Sequence, residues 1–232
     1  MGTVARMPWK ARIHVAAVVA AGLLTLAVAA WQWECQDPAR FTVYVLLAIA
    51  ASVMKVKVPG MSGTYSLNFL FVLIGIAELS FSETAALGGV AALVQSVWKS
   101  AKRPQPIQVL FNISNYAVSI AAASAVFGLA RHQLGGAALA APLSLAAFVF
   151  FVSNVSLVST TLALVEQESV VRVSGRWIVY SFPYYLLGTA VAGVITLSSQ
   201  YLDWRSSLLF LPLMYLVYFC YRSYMQGLAR LR

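Results

Sequence analysis

The segment Lys55–Leu79, KVKVPGMSGTYSLNFLFVLIGIAEL, decides the fold class of this chain. Its second half lies in a continuous apolar run of the kind that forms a membrane-embedded helix. Similar runs fall at about 13–31, 41–54, 66–80, 83–98, 107–130, 141–165, 177–198 and 206–221. Because a helix crosses a bilayer with roughly 20 apolar residues, these runs predict an all-α integral membrane helical bundle of about eight transmembrane helices. The second, third and fourth runs are short, so six or seven spans are the alternative.

The first half of the same segment has a different pattern. Residues 55–58 alternate between lysine and valine, residues 59–63 contain proline and glycine, and residues 64–66 return to an extended pattern. Extended sequence on both sides of turn residues is typical of a β-hairpin. We predict a short extended hairpin near 55–66 at the cytoplasmic edge of the membrane, with an irregular loop as the alternative.

The composition excludes several classes of protein. Of the 232 residues, 61% are hydrophobic and 10% are charged, and the mean hydropathy is +0.80. Soluble domains carry about 45–50% apolar and about 25% charged residues. The chain is therefore neither a disordered tail, nor a disulfide-rich secreted scaffold, nor an ordinary water-soluble enzyme.

The basic residues predict the orientation. With the N-terminus in the cytoplasm, thirteen of the sixteen basic residues fall on the cytoplasmic side, and only Arg40, Arg131 and Arg205 fall outside. The positive-inside rule expects such an asymmetry. All six tryptophans lie at the ends of apolar runs, where indole rings meet the lipid headgroups. We expect both termini in the cytoplasm, and we attribute the net charge of +9 to loops facing the membrane rather than to nucleic-acid binding.

The loops between the runs are too short for a soluble domain. We therefore predict a single polytopic membrane domain over 1–232, without a soluble output domain. Cys35 and Cys220 fall on opposite sides of the membrane in this topology, so we expect no disulfide. The sequence Ala27-Val28-Ala29 resembles a signal-peptidase site, so retention and cleavage of the first helix both stay open, with retention the simpler interpretation.

Polar side chains inside the apolar runs are the candidate ligand-binding residues. Such groups are costly in lipid and tend to face the interior of a bundle. They can line a polar pocket, or they can simply bond neighbouring helices to each other, which we favour for most of them. The ligand-binding candidates are Asn68, Asn112, Asn115, Asn154 and Tyr184, the tyrosine lying beside Pro183 in an aromatic cluster at an expected kink.

Glu78 is the acidic residue closest to an apolar interior. It is either a proton or cation site below the membrane surface or, as we favour, the interfacial end of the third run. We identify no combination of nucleophile, base and orienting group, no phosphate-binding loop and no metal-binding spacing. We therefore expect no enzyme activity, no metal and no cofactor.

Residues 55–120 carry a resemblance. After the opening segment they continue as SFSETAALGGVAALVQSVWKSAKRPQPIQVLFNISNYAVS. They resemble the bacterial multi-spanning, membrane-associated sensor (MASE-like) regions found ahead of GGDEF and HD-GYP enzymes of cyclic-di-GMP signalling. The final segment, 221–232, is similar to the helix that leads from such regions into an output domain. The resemblance implies a sensory or membrane-anchoring role in the bacterial inner membrane, with a stand-alone paralogue or a membrane portion detached from its effector as the expected form here.

Three functions follow as hypotheses. The first is a membrane-embedded sensory input module that relays to a cytoplasmic partner through the last helix; its expected partner-facing residues are Tyr221, Arg222, Arg230 and Arg232. The second is a small-solute transporter or substrate-capture subunit. The third is a membrane anchor or assembly protein without a ligand. The expected partners are the lipid bilayer, a cytoplasmic effector or a second copy of the chain, and a small-molecule ligand.

Overall fold

A computed structural model describes residues 7–57, 64–100, 103–134 and 139–230. Within these ranges the chain forms eight α-helices, and each coincides with one of the eight predicted apolar runs. They are α1 (Trp9–Trp31), α2 (Pro38–Val53), α3 (Asn68–Glu78), α4 (Phe81–Val97), α5 (Pro106–Gln133), α6 (Ala140–Glu166), α7 (Val170–Tyr201) and α8 (Leu211–Arg230). The last run, predicted as one helix from about 206, is divided, because a 3₁₀ helix over Trp204–Phe210 precedes α8.

Four of the helices, α1, α5, α6 and α7, are long and apolar enough to cross a membrane. The helices α2 and α3 are shorter apolar helices of 16 and 11 residues. The structure therefore confirms a predominantly helical fold with four candidate membrane-spanning helices. The count of eight spans and the cytoplasmic position of both termini stay predictions.

The predicted hairpin is confirmed. Strands β1 (Lys55–Lys57) and β2 (Thr64–Ser66) pair antiparallel, with Val56 opposite Tyr65. The turn sequence between them lies outside the described residues. The Lys55 ammonium group donates a hydrogen bond to the backbone carbonyl of Trp98, just after α4 ends. A cation at this position also interacts favourably with the negative end of the α4 dipole.

Capping residues fix where the helices begin. The Asp37 side chain accepts a hydrogen bond from the Arg40 amide, and Pro38 occupies the first turn of α2. Ser80 and Glu83 form a reciprocal capping box at the start of α4. Such caps satisfy amide groups that have no partner within the helix. They make the short connections between α1 and α2 and between α3 and α4 sharply defined.

The helix α3 is the centre of the bundle. Every side chain from Phe69 to Ile74 is at most 3% exposed, and α3 contacts α2, α4, α5, α6 and α7. A β-carbon added to Gly88 would lie 2.2 Å from Ile120 Cδ1, and one added to Gly188 would lie 2.0 Å from Phe69 Cζ. These glycines therefore permit close helix approaches, as small residues do in membrane bundles.

The two ends of the bundle carry different features. At one end, which we call the Glu78 end, the α1–α2 connection lies against the α3–α4 connection, and α7 ends nearby. At the other, the hairpin end, β1 lies beside the end of α4. The helix α8 contacts α7 and β1. The predicted orientation places the hairpin end in the cytoplasm.

Candidate functional site

A buried polar network occupies the start of α3. The fully buried Asn68 donates from Nδ2 to Gln95 Oε1 at 2.8 Å. The Tyr116 hydroxyl donates to Asn68 Oδ1 at 2.9 Å and reaches Gln95 Oε1 at 3.3 Å. Three helices, α3, α4 and α5, thus meet through amide and hydroxyl groups. A polar network of this kind is stable in an apolar interior because its members satisfy one another.

The other predicted asparagines on α5 bond separately. Asn112 donates to Ser96 Oγ on α4 at 2.9 Å. Asn115, which is 2% exposed, accepts from Ser119 one turn further along its own helix at 3.5 Å. The Asn112 contact is the interhelical bonding that we favour for most of the polar set, whereas the Asn115 contact lies within α5. Their role in ligand binding stays a prediction.

Asn154 on α6 differs from the other asparagines. Its Nδ2 atom is buried and has no hydrogen-bond partner among the described residues. A buried amide donor without a partner costs roughly 1–3 kcal/mol, so it would gain from a polar ligand or an ordered water molecule. Among the candidate ligand-binding asparagines, Asn154 is therefore the one whose side-chain nitrogen is buried without a hydrogen-bond partner in the described part of the chain.

Tyr184 lies at the centre of an aromatic cluster. Its ring contacts Phe69 on α3, with ring centroids 4.9 Å apart, and Tyr221 on α8, at 4.8 Å. The neighbouring Tyr185 contacts Phe69 at 4.4 Å and Phe151 on α6 at 4.9 Å. Aromatic pairs at these separations contribute about 0.5–1.5 kcal/mol beyond the area that they bury. The cluster therefore joins the central helix α3 to the last helix through α7.

The predicted partner-facing residues differ in their exposure. Tyr221 is 6% exposed, and its hydroxyl donates to the Tyr180 backbone carbonyl at 2.7 Å. It therefore packs inward on α7 instead of facing outward, because its ring fits beside Tyr184. Arg222 is exposed. The side chain of Arg230 and the whole of Arg232 lie outside the described residues.

A second polar cluster lies at the Glu78 end. Glu78 Oε2 accepts from the Tyr44 hydroxyl at 2.7 Å and from Ser199 Oγ at 3.1 Å. The Arg40 guanidinium and the fully buried Thr196 hydroxyl lie near the same carboxyl group. Glu78 is thus more than the end of an apolar run, since it connects α2, α3 and α7. Its partners come from distant parts of the chain, and no local sequence pattern marks them.

Cys35, in the α1–α2 connection, lies next to a second buried carboxylate. Hydrogen bonding to Glu83, burial and repulsion by the carboxylates of Glu83 and Asp37 raise the pKa of the Cys35 thiol. Neither Cys35 nor Cys220 is in a disulfide. Within the ranges that the structure describes, no three His, Cys, Asp or Glu side chains form a group that could hold a metal ion.

A comparison with protein-family models identifies the family of this chain. The family model MASE9 matches residues 19–224. The chain belongs to the MASE9 family. This confirms the resemblance to membrane-associated sensor domains and extends it from residues 55–120 to a continuous match that runs from within α1 to within α8. No curated protein and no solved structure matches the chain.

The match to MASE9 covers both polar clusters and the aromatic cluster described above. The matched residues include the Asn68 network, the aromatic cluster and the Glu78 cluster. The chain is thus a membrane-associated sensor domain with four helices that are able to span a bilayer. The two buried polar clusters, one at the start of α3 and one at its end, are its candidate sites.

Proposed function

We propose that this MASE9 chain is a sensory input module embedded in the bacterial inner membrane, which relays a signal to a cytoplasmic partner through α8. The observation that carries the proposal is the position of Tyr184 between Phe69 and Tyr221, with ring centroids 4.9 and 4.8 Å away. Family membership supports the sensory role. The aromatic contacts support α8 as the element that responds.

The path from a buried site to α8 is short. Asn68, in the polar network, is followed directly by Phe69, in the aromatic cluster. A ligand or lipid state that changes the hydrogen bonds of Asn68 would therefore move Phe69. Through Tyr184, this movement would change how the Tyr221 ring packs on α7. Packed side chains carry coupling in this way when the element has two arrangements that both sites bias. The ligand has to bind these two arrangements with different affinity.

The helix α8 is suited to move, unlike α3. The helix α8 packs mainly on α7, β1 and the preceding 3₁₀ helix, whereas α3 packs on five other helices. Elements with few buried contacts rearrange at low cost, whereas tightly packed ones do not. We therefore place the fixed part of the module at α3 and the responsive part at α8. The exposed Arg222, with the predicted Arg230 and Arg232, would meet an effector or a second copy of the chain.

The membrane topology of the chain is also proposed. We infer eight spans with both termini in the cytoplasm, because the short helices α2 and α3 lie among the long ones and the basic residues collect at the hairpin end. The positive-inside rule supports this orientation. The proposal assigns the chain no reaction and no cofactor.

A spin label on α8 tests the relay. Cys220 is exposed, so it can carry a nitroxide in a Cys35→Ser background, with the chain in lipid vesicles. We expect Tyr184→Ala to increase the mobility of the label, because the contact between Tyr184 and Tyr221 is lost. The matched control is Leu186→Ala on the same helix, since Leu186 is 61% exposed. An unchanged spectrum in Tyr184→Ala, or an equal change in the control, would contradict the relay.

The unpartnered amide of Asn154 favours a second candidate, a small-solute transporter or substrate-capture subunit. Intramembrane polar groups near the bundle centre are typical of such sites. Solute uptake by proteoliposomes that is lost in Asn154→Leu would support this function over the sensor. The absence of uptake across a broad panel of solutes, together with a responsive α8, would support the sensor.

A further inference from the structure

We propose that Glu78 is a proton-binding site at the Glu78 end of the bundle, and that the proton is a ligand of this sensor domain. The binding of the proton stands on the geometry of the Glu78 cluster alone. Its consequence for α8 rests on the proposed function. The site is distinct from the Asn68 network, which lies at the opposite end of α3.

The two oxygens of the Glu78 carboxyl group have unequal surroundings. Oε2 accepts hydrogen bonds from Tyr44 and Ser199. Oε1 is buried and has no hydrogen-bond partner of good geometry among the described residues. Burying a carboxylate oxygen without a donor costs more free energy than burying a neutral carboxyl group. Oε1 is therefore where a proton would reside, with the neighbouring Thr196 hydroxyl as the acceptor of the new O–H.

The helix ends distinguish Glu78 from the other buried acid. Glu78 is the last residue of α3, and a negative charge at a helix C-terminus is unfavourable. Glu83 lies in the first turn of α4, at the opposite, positive end of a helix dipole, and accepts the capping bond from the Ser80 amide. Each of the two carboxyl groups has a buried Oε1 without a hydrogen-bond partner in the described ranges, so the helix end at which the group lies is what sets Glu78 apart.

One charged group opposes protonation of Glu78. The Arg40 guanidinium on α2 acts on the carboxylate, and its own Nε is buried without a hydrogen-bond partner in the described ranges. From α7 the facing groups are the uncharged hydroxyls of Thr196 and Ser199, and from α2 also that of Tyr44. The other acids at this end have other partners: Glu83 bonds with Ser80, Asp37 with the Arg40 amide, Asp203 with the Trp204 amide, and the exposed Glu34 with Gln36.

Protonation would change how three helices are held together. A proton taken from water adds to Oε1 and removes the negative charge that attracts the nearby Arg40 guanidinium. The attraction between α2 and α3 then weakens, and the Tyr44 and Ser199 hydroxyls donate to a neutral oxygen instead of a charged one, which makes weaker bonds. Ser199 and Tyr184 lie on the same helix, α7. A change at Glu78 can therefore reach the aromatic cluster through α7.

Infrared difference spectroscopy tests the binding of the proton. The full chain in lipid vesicles is taken from about pH 8 to about pH 5, a window next to the ordinary range of carboxyl groups. We expect the carbonyl stretch of a protonated carboxyl group to appear, to be absent in Glu78→Gln, and to remain in Glu83→Gln. Glutamine at position 83 can still complete the capping box, so that variant is a matched control.

A second variant covers the case in which Glu78→Gln does not fold. In Tyr44→Phe the carbonyl oxygen of the protonated acid loses one hydrogen bond, so its stretch should move to higher frequency. A band that persists in Glu78→Gln, or that does not move in Tyr44→Phe, overturns the proposal. A wild-type spectrum without the band, or a response to sodium ions in place of protons, overturns it as well.

The spin label at Cys220 separates this inference from the proposed function. If both hold, the label responds to the same change of pH in the wild type and not in Glu78→Gln. If the infrared band belongs to Glu78 but the label is unaffected by pH, Glu78 binds a proton and the relay to α8 is wrong. If the label responds to Tyr184→Ala while the band is absent, the relay stands and the proton site is wrong.

Discussion

The ring of Phe69 occupies the space in front of Gly188, so that a β-carbon on this glycine would lie 2.0 Å from Phe69 Cζ. The contact brings α3 and α7 close together at the level of the aromatic cluster. Phe69 has little room to move away, because its ring is also 4.9 Å from that of Tyr184 and 4.4 Å from that of Tyr185. A glycine is therefore required at this position for the central helix to keep its place.

Gly188→Ala should destabilise the bundle. The added methyl group has to displace Phe69, and overpacking of a tight interior costs about 1–3 kcal/mol. Thermal unfolding of the chain in detergent measures the loss. Gly193→Ala is the control on the same helix, since its β-carbon would meet only Leu143 at an ordinary 3.9 Å. Equal stability of the two variants would show that Phe69 yields without cost.

The buried asparagines should respond differently to replacement by leucine, which has nearly the same shape. Asn68→Leu removes one partner from Tyr116 and one from Gln95, so we expect a loss of about 1 kcal/mol or more in the free energy of unfolding. Asn154→Leu removes an amide donor without a partner in the described chain, so we expect no loss, or a small gain. Denaturation of both variants in the same detergent is the measurement.

The outcome for Asn154 also bears on ligand binding. If the wild type is stabilised by a bound solute that is lost in Asn154→Leu, the amide is a ligand-binding group, and the bare proteins would still unfold with similar free energies. A clear loss of stability in Asn154→Leu without any solute would instead mean that the amide has a structural partner.

The sequence predicts the helices well because hydropathy is a local property. Each of the eight apolar runs is helical, and the alternation of lysine and valine before Pro59 marks the hairpin. Hydropathy alone does not show the division of the last run at Leu211, because both parts are apolar, but Pro212 lies in the first turn of α8, where proline is favoured. Hydropathy also cannot distinguish a short spanning helix from a short buried one, which is why the number of spans is harder to predict.

The candidate sites are less predictable for a different reason. Asn68 and Glu78 are visible in the sequence as polar residues in apolar surroundings. Tyr116 follows Asn68 by 48 positions, and Ser199 follows Glu78 by 121 positions. Which residues become their partners therefore depends on which helices become neighbours. The resemblance of 221–232 to an exit helix predicts that Tyr221 faces a partner, but its ring packs against that of Tyr184 in the interior.

Alkylation of Cys35 should become faster when Glu83 loses its charge. The carboxylate raises the pKa of the Cys35 thiol, so Glu83→Gln should lower this pKa and increase the thiolate fraction at about pH 8. The rate of reaction with N-ethylmaleimide in a Cys220→Ser background is the measurement. Glu34→Gln is the control, because Glu34 adjoins Cys35 in sequence and is exposed. The same rate in all three chains would exclude Glu83 as the cause.

Labelling of intact bacterial cells tests the orientation. In a Cys35→Ser, Cys220→Ser background, we expect a membrane-impermeant maleimide to label Gln36→Cys directly and Ser169→Cys only after permeabilisation. Both positions are exposed and lie in short connections, one at the Glu78 end and one at the hairpin end. The reason is the excess of basic residues at the hairpin end. The opposite pattern would invert the topology and place Glu78 in the cytoplasm.

The bond between Lys55 and the Trp98 carbonyl has a consequence for regulation. Strand β1 contacts α8 as well as carrying this lysine, so the last helix rests on a strand that is fastened to the far end of α4. A displacement of α8 that moves β1 would have to break the hydrogen bond between Lys55 and the Trp98 carbonyl, or it would be limited by this bond. The hairpin would thus limit the travel of the output helix, and Lys55→Ala should yield a chain whose response to its stimulus is larger and less sharply bounded.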